Sequence, residues 1–381
     1  MMFQFIQTQE DLEPLLTLMG QHEVYGLDTE FIKVDTFWPK LGVLQINVGG
    51  EVFLLDGASL DLSPFWPKLF QAKQNVLHAC GEDIDLIYHY AQHNQLGNVF
   101  DTQVAMSFLG HGLQVSYQNA LKLVLDIEIE KDQTRSDWLA RPLTTEQMNY
   151  AANDVLYIMQ LADSVKQQLN SKGLYDYVLE DCRNLTAEIA SETPKDKLYE
   201  DVGNYRHSRR QLMQLQLLSV WREEMVKALN QPRSFILKNA TMIDLVEKNP
   251  KNTFQLSQVK NIRPNVVREH GKTILDIIKL LPSSEEWPLR IARPIRHSSK
   301  DITHDVDQLI AKVSVEIEVP KEVLMRKKWL SALYQHVVFK GDEQDLPAYL
   351  LGWRYDMLTC PLIQMLQQDA EYLSAQMRVN D

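Results

Sequence analysis

Cysteine is scarce in this chain, and its three copies, Cys80, Cys182 and Cys360, are odd in number and widely spaced. They make neither a disulfide framework nor a zinc-ligand pattern, so a reducing compartment, the cytoplasm, is expected. No run approaches the roughly 18 consecutive apolar residues that a membrane span needs, and no membrane association is expected. The first residues, from Met1 to Gln7, lack a basic leader, which argues against secretion. Gly-x-x-x-x-Gly-Lys-Ser/Thr and Gly-x-Gly-x-x-Gly are both missing, which sets aside an ATP-driven motor and a dinucleotide enzyme. Positive charge is also short: 39 Lys and Arg face 51 Asp and Glu, a net charge of −12.

That deficit is unevenly spread. Residues 1–190 carry 11 Lys and Arg against 26 Asp and Glu, a balance of −15, whereas residues 209–281 carry 13 against 6, a balance of +7. An acidic body suits cation binding and repels phosphate at long range. A basic neighbour supplies the attraction that phosphate binding requires. A merely solvated helical surface is the other reading of the basic stretch.

A length of 381 residues predicts two or three domains, and an apolar fraction of 45% is ordinary for globular chains. Within 1–190, strands are expected at 3–6, 24–31, 42–47, 52–55 and 75–79, the middle three as a meander turning at Gly49-Gly50. Helices are expected at 9–19, 82–93, 101–109, 116–125 and 145–169. Strands first and crossover helices after imply an α/β layer with a mixed sheet. Residues 190–208 read as a linker. From Arg209, Leu212, Leu215, Leu218, Val220 and Trp221 form an amphipathic face, and breaks near Pro232, Pro250 and Pro264 predict a bundle of about five helices over 209–281. A second linker, 282–302, contains Pro282, Ser283, Ser284, Pro288, Pro294, Ser298 and Ser299. The remainder, 303–381, is again helical, with Trp329, Leu330, Leu333 and Tyr334 on one face and Leu346 to Arg354 in a last helical pair.

The chemistry is carried by acids. In Val24-Tyr25-Gly26-Leu27-Asp28-Thr29-Glu30-Phe31 the strand period of two puts Asp28 and Glu30 on one face. Carboxylates that close repel, and one stays protonated unless a cation neutralises the site; hard oxygen ligands suit Mg²⁺ or Mn²⁺. A solvated strand end is the plainer alternative. After the strand 75–79, the cluster Glu82, Asp83, Asp85 opens a helix, where acids also serve as ordinary caps. Tyr150 and Asp154 lie four apart on the helix from 145, one turn above the other, as a surface pair or as part of a site. Together the three segments can converge on two metals about 4 Å apart that clamp the attacking and leaving oxygens of a phosphoryl displacement. The tyrosine would hold or deprotonate the attacking water.

Leu27-Asp28-Thr29-Glu30-Phe31, His78-Ala79-Cys80-Gly81-Glu82-Asp83 and Tyr150-Ala151-Ala152-Asn153-Asp154 resemble, in order and spacing, the three exonuclease motifs of the DEDD family in its tyrosine subtype. Asp101-Thr102-Gln103 and Arg135-Ser136-Asp137-Trp138-Leu139-Ala140-Arg141-Pro142-Leu143 resemble bacterial ribonuclease D in particular. The resemblance implies a ribonuclease H-like exonuclease fold for residues 1–190. It implies that Asp28, Glu30, Asp83 and Asp154 hold two divalent ions, Mg²⁺ or Mn²⁺, and that Tyr150 is catalytic. Asp83 is taken from its cluster because the family places this aspartate five residues after a histidine. Asp85, about 200° further round the helix, then points away, Glu82 and Asp85 are surface or capping residues, and His78 is a packed neighbour rather than a ligand. Residues 209–281 resemble the helicase-and-ribonuclease-D C-terminal domain, best at Arg268-Glu269-His270-Gly271-Lys272. Residues 303–381 resemble a diverged second copy, with packing back on the first domain to close a ring as one arrangement.

The resemblance thus implies a 3′–5′ exoribonuclease that trims tRNA precursors and other structured RNA 3′ ends to nucleoside 5′-monophosphates; the oligomeric state is open, with a monomer favoured. A 3′–5′ DNA exonuclease and a non-catalytic nucleic-acid-binding protein are the alternatives. Phe31, Trp38 and Leu41, just past the first motif, are candidates either to stack the terminal base or to sit in the core.

Overall fold

Short apolar segments bounded by turn residues assemble into one six-stranded sheet in the computed structural model, which describes residues 3–96, 98–129, 136–295 and 300–377. Arg135, Ser298 and Ser299 lie outside the described residues, as does the last part of 303–381. The strands are β1 (Gln4–Ile6), β2 (Val24–Ile32), β3 (Lys40–Val48), β4 (Glu51–Asp56), β5 (Gln74–Leu77) and β6 (Val99–Asp101), in the order β1-β4-β3-β2-β5-β6. β2, β3 and β4 form the antiparallel meander, while β1 joins β4, and β5 joins β2 and β6, in parallel. The sheet is mixed, as expected. β6 is the strand the sequence hides: three residues are too short to show a period, and Asp101, read as a helical residue, instead caps the helix Thr102–Phe108.

Both faces of the sheet are covered, which is why β3 is buried along nearly its whole length. Leu12, Leu15, Ile84 and Ile87 pack on one face. The other carries Val43, Leu54 and Val76 under helices Thr145–Leu156 and Ile158–Ser171. The single helix expected over 145–169 is broken at Tyr157 (φ −106°, ψ 1°). Asn47 Nδ2 of β3 donates to Val155 O and Leu156 O at 3.0 and 3.4 Å, so these carbonyls are satisfied by the sheet instead of the next turn. The close approach needs a glycine: a Cβ on Gly26 would lie 2.4 Å from Ile158 Cγ2.

The basic stretch folds into five helices, Arg209–Leu229, Arg233–Ile236, Asn239–Lys248, Thr253–Ser257 and Pro264–Lys279, around Leu212, Leu215, Leu218, Met242 and Ile274. A reciprocal cap between Ser208 and Gln211 starts the first of them. The preceding linker is partly structural, because Tyr199 and Val202 are buried in this same core. Two apolar residues without a period gave no sign of it.

Helices Lys300–Glu316, Lys321–Leu324, Lys327–Phe339, Cys360–Gln368 and Ala370–Met377 form the last unit. Its core, including Val306, Trp329 and Leu362, is continuous with the exonuclease-side core at Phe108, Leu174 and Val178. The run 346–354 is only partly helical: its helical turns are Ala348–Leu350 and the opening at Trp353 and Arg354 of the stretch that leads into Cys360–Gln368. A 3₁₀ turn, Ala348–Leu350, leads into a segment that docks on helix Tyr175–Ala190. Trp353 stacks on Tyr177 at 4.5 Å, and Arg354 enters a buried bidentate pair with Asp181 (2.6 and 2.7 Å). Gly352, at φ +59°, takes a conformation that other residues rarely adopt, and a Cβ there would displace the Glu180 carboxylate that accepts from the Trp353 amide. The middle bundle also returns to the first domain: Asn230 Oδ1 accepts from the amides of Phe37 and Trp38 at 3.1 and 3.0 Å, and Arg233 lies over the Phe37 ring. No helix among the described residues is long and apolar enough to cross a membrane.

Candidate active site

Asp28 and Glu30 project from the face of β2 that helix Thr145–Leu156 covers, and that helix brings Asp154 over them. One carboxylate oxygen from each of Asp28, Glu30 and Asp154 lies within 4.8 Å of the others. The helix is held at both ends. Thr144 and Gln147 form a reciprocal cap, Gln147 Nε2 donates to Asp137 O at 3.1 Å, and Asn47 grips the last turn. The Asp137–Leu143 run is pinned by Arg141, whose guanidinium reaches Asp56, Trp138 O, Ala140 O and Gly42 O. Burial works against ionisation of Asp56, but hydrogen bonds from Arg141 and the Ala58 amide prevail and hold its carboxyl below the usual range. Trp138, from the same run, is buried with its ring 6.0 Å from that of Tyr150.

Asp83 arrives from the other side, in the first turn of helix Gly81–Ala91. It is buried and accepts a hydrogen bond from Thr29 Oγ1, the residue between the two β2 acids. The turn into this helix is fixed by Asp101, whose carboxylate accepts from the amides of Ala79, Cys80, Gln103 and Val104. That anchorage offsets a left-handed Ala79 (φ +61°), a conformation that costs about 1–2 kcal/mol for a non-glycine residue. Glu82 is exposed and Asp85 pairs with Lys33 at 3.3 Å, so neither joins the cluster. Both ring nitrogens of His78 are engaged, with Thr102 Oγ1 at 2.8 Å and Val115 O at 2.9 Å. Of the residues past the first motif, Leu41 is in the core, Phe31 packs against it, and Trp38 stacks on His89 at 4.4 Å.

Asp83 is not in the three-carboxylate group but its charge acts on each member, and the four acids cannot all ionise unaided. Burial, then the charges of Asp83, Asp154 and Glu30, push Asp28 well above the carboxylate range. Burial followed by Asp154 and Asp83 takes Glu30 to about 9. Burial also takes Asp154 to about 7, against a hydrogen bond from Tyr150 that favours its anion, and Asp83 to about 6. Such a set of hard oxygens, short of positive charge, fits a divalent cation. Because these folded-state values lie above those of the unfolded chain, the native state binds more protons, and its stability falls as pH rises. Without metal, Tm is therefore expected to decline between about pH 5 and pH 9, and saturating Mg²⁺ is expected to flatten the decline. Calorimetric scans in EDTA and in Mg²⁺ across that window check this, and parallel curves would count against it.

Two further polar residues border the cluster and were not singled out from the sequence. Gln45 is buried on β3 directly opposite Asp28. Tyr117 is buried, and its hydroxyl is pushed up by burial and by the charges of Asp154 and Asp28. An amide in the middle of the apolar run Val43-Leu44-Gln45-Ile46 was the available signal for the first. Nothing in the helix Tyr117–Leu125 marked the second.

A family model described as 3′-5′ exonuclease matches residues 3–170, and an HRDC domain model matches residues 211–278. Ribonuclease D of Pseudomonas paraeruginosa is 33% identical over 348 residues, which span 90% of this chain and 92% of that protein. The chain belongs to the ribonuclease D family. Ribonuclease D of a Shewanella species is 30% identical over 358 residues, covering 92% of this chain and 91% of the relative. In fold, the chain matches the crystal structure of Escherichia coli RNase D with a TM-score of 0.88 over 96% of this chain and 99% of that one, at 24% identity. This ribonuclease D family member is a 3′–5′ exoribonuclease, and the DNA exonuclease and non-catalytic alternatives are not favoured. Its exonuclease family implies divalent metal use, in keeping with the acidic cluster.

Proposed function

We propose that Asp28, Glu30, Asp83 and Asp154 hold two Mg²⁺ or Mn²⁺ ions, that Tyr150 positions the attacking water, and that the enzyme trims tRNA precursors and other structured RNA 3′ ends in the cytoplasm. The observation that carries this reading is the convergence of Asp28, Glu30 and Asp154 oxygens within 4.8 Å, with the charge of Asp83 bearing on all three. Bound ions would polarise the phosphoryl oxygens, lower the pKa of water and neutralise charge on the leaving oxygen. The carboxylates' part is to hold them.

In the metal-free site the phenol of Tyr150 is pushed up by burial and by the charges of Asp154, Glu30 and Asp28. Its hydrogen goes to Asp154, which leaves the lone pairs of Oη to accept a hydrogen bond from water. In this reading Tyr150 orients the attacking water. Cleavage of a 3′-extended tRNA with Mg²⁺, with Mn²⁺ and with EDTA tests the substrate and the metals. In the same assay, Tyr150→Phe is expected to slow single-turnover cleavage by about 10²-fold, with metal affinity and Tm nearly unchanged. A Phe variant that cleaves within twofold of the parent would make Tyr150 structural.

The division into 1–190, 209–281 and 303–381 goes with this reading, the basic middle unit serving as the RNA platform. A repeated backbone pattern supports the last unit as a diverged copy of the middle one. Each has a long helix followed by a left-handed residue, Asn230 or Glu318, and then a one-turn helix capped by Pro232 or Pro320. The next helix in each ends at a left-handed residue, Asn249 or Lys340.

A further inference from the structure

Gln45 is wholly buried at the centre of β3, and among the described residues neither its Oε1 nor its Nε2 meets a hydrogen-bond partner. A buried amide left in that condition is costly, and folded proteins retain very few. An apolar side chain of similar volume would fill the same space without that cost. The position of Gln45 in the sheet suggests why an amide is there. β2 and β3 run antiparallel with Gln45 directly opposite Asp28, and directly opposed residues project from the same face. Two residues on, and on that same face, Asn47 reaches the last turn of helix Thr145–Leu156. Gln45 therefore lies in the layer between the sheet and the helix that carries Tyr150 and Asp154. Its other neighbour across the sheet, Leu54 of β4, is apolar and buried, so the polar partner the register offers is Asp28.

We propose that Gln45 is a positioning residue for the metal centre, its amide fixing the orientation of the Asp28 carboxylate through one ordered water. An amide both donates and accepts, so it can hold a water that in turn donates to a carboxylate oxygen. Groups that orient metal-binding carboxylates in this way commonly govern metal affinity more than stability. The inference rests on the assignment of Asp28 as a metal ligand made above, and its test separates the two.

Gln45→Met keeps the volume and removes both polar atoms. Binding of Mn²⁺ alone to the full chain, followed by calorimetric titration and by loss of the free-ion electron paramagnetic resonance signal, is expected to weaken by about 10–100-fold. The Tm in EDTA is expected to stay the same or rise. Gln45→Asn, which keeps an amide one methylene back, is expected to fall between the parent and Gln45→Met. An amide that only fills space predicts Mn²⁺ affinity within twofold of the parent whatever the Tm, and that result overturns the proposal. Should Gln45→Met fail to fold, Gln45→Asn decides: weakened Mn²⁺ binding at parental Tm supports the role, and parental affinity removes it. A parent protein that binds no Mn²⁺ would instead bring down the metal assignment itself.

Discussion

Asp28→Asn is expected to lower RNA hydrolysis by at least about 10³-fold, roughly 4 kcal/mol of transition-state stabilisation, while making the metal-free protein more stable. The two effects share one cause. Asp28 carries the repulsion of Asp83, Asp154 and Glu30 on top of a burial penalty. An amide of the same shape is neutral in both the folded and the unfolded chain, so it removes the cost of holding Asp28 protonated against its neighbours, and the unmetallated cluster relaxes. The same change takes away a ligand charge that a hard divalent ion requires. Circular dichroism melts in EDTA, paired with single-turnover cleavage at saturating Mg²⁺, measure both sides. A variant that cleaves at near-parental rate in low Mg²⁺ would remove Asp28 from the metal centre. A lower Tm in EDTA would mean that the acids are not in mutual repulsion.

Arg354→Met is expected to destabilise the full chain by about 3–5 kcal/mol, the usual consequence of leaving one partner of a buried ion pair alone. Arg354 is fully buried and Asp181 nearly so, and the pair is bidentate. Arg354 also donates to Val323 O at 2.9 Å and lies 4.0 Å from the Trp353 ring, while Trp353 Nε1 donates to Asp181 at 3.1 Å. Losing the guanidinium therefore strands a carboxylate and unsettles the stack on Tyr177. Removing both charges, in Arg354→Met with Asp181→Leu, is expected to recover most of the loss, because well-packed apolar groups can replace a buried pair. Urea unfolding of the two single variants and the double variant gives the comparison. A single variant with a parental midpoint would mean that this junction does not hold the last unit in place.

The sequence carried some parts of this architecture and hid others, for reasons that individual residues make plain. Asp28 and Glu30 could be placed together because a strand repeats every two residues, and Tyr150 and Asp154 because a helix nearly repeats every four. Their meeting across the sheet was not in either period. It depends on Gly26 and Asn47, which let the helix lie close and hold its last turn. Asp83 could be told from Glu82 and Asp85 only by resemblance. In three dimensions the difference is a hydrogen bond from Thr29, a residue far away in the chain. The docking of Arg354 was illegible because helical periodicity says nothing of what a helix's first turn packs against. A charged residue next to Trp353 reads as surface until Asp181, on a helix the periodicity did not reveal, is found beneath it. The short strand β6 escaped through brevity, and Tyr199 and Val202 through isolation.

The pair formed by Asp181 and Arg354 joins residues 173 positions apart, and this separation bears on how the chain is made. At a synthesis rate of about 5–20 residues per second, roughly 10–35 seconds pass between the appearance of the aspartate and that of its partner. During that interval Asp181 lacks the guanidinium that pairs with it, and Tyr177 lacks the Trp353 ring that stacks on it. Helix Tyr175–Ala190 of the catalytic domain therefore gains the partners of its Asp181 and Tyr177 side chains only when the last unit has been made.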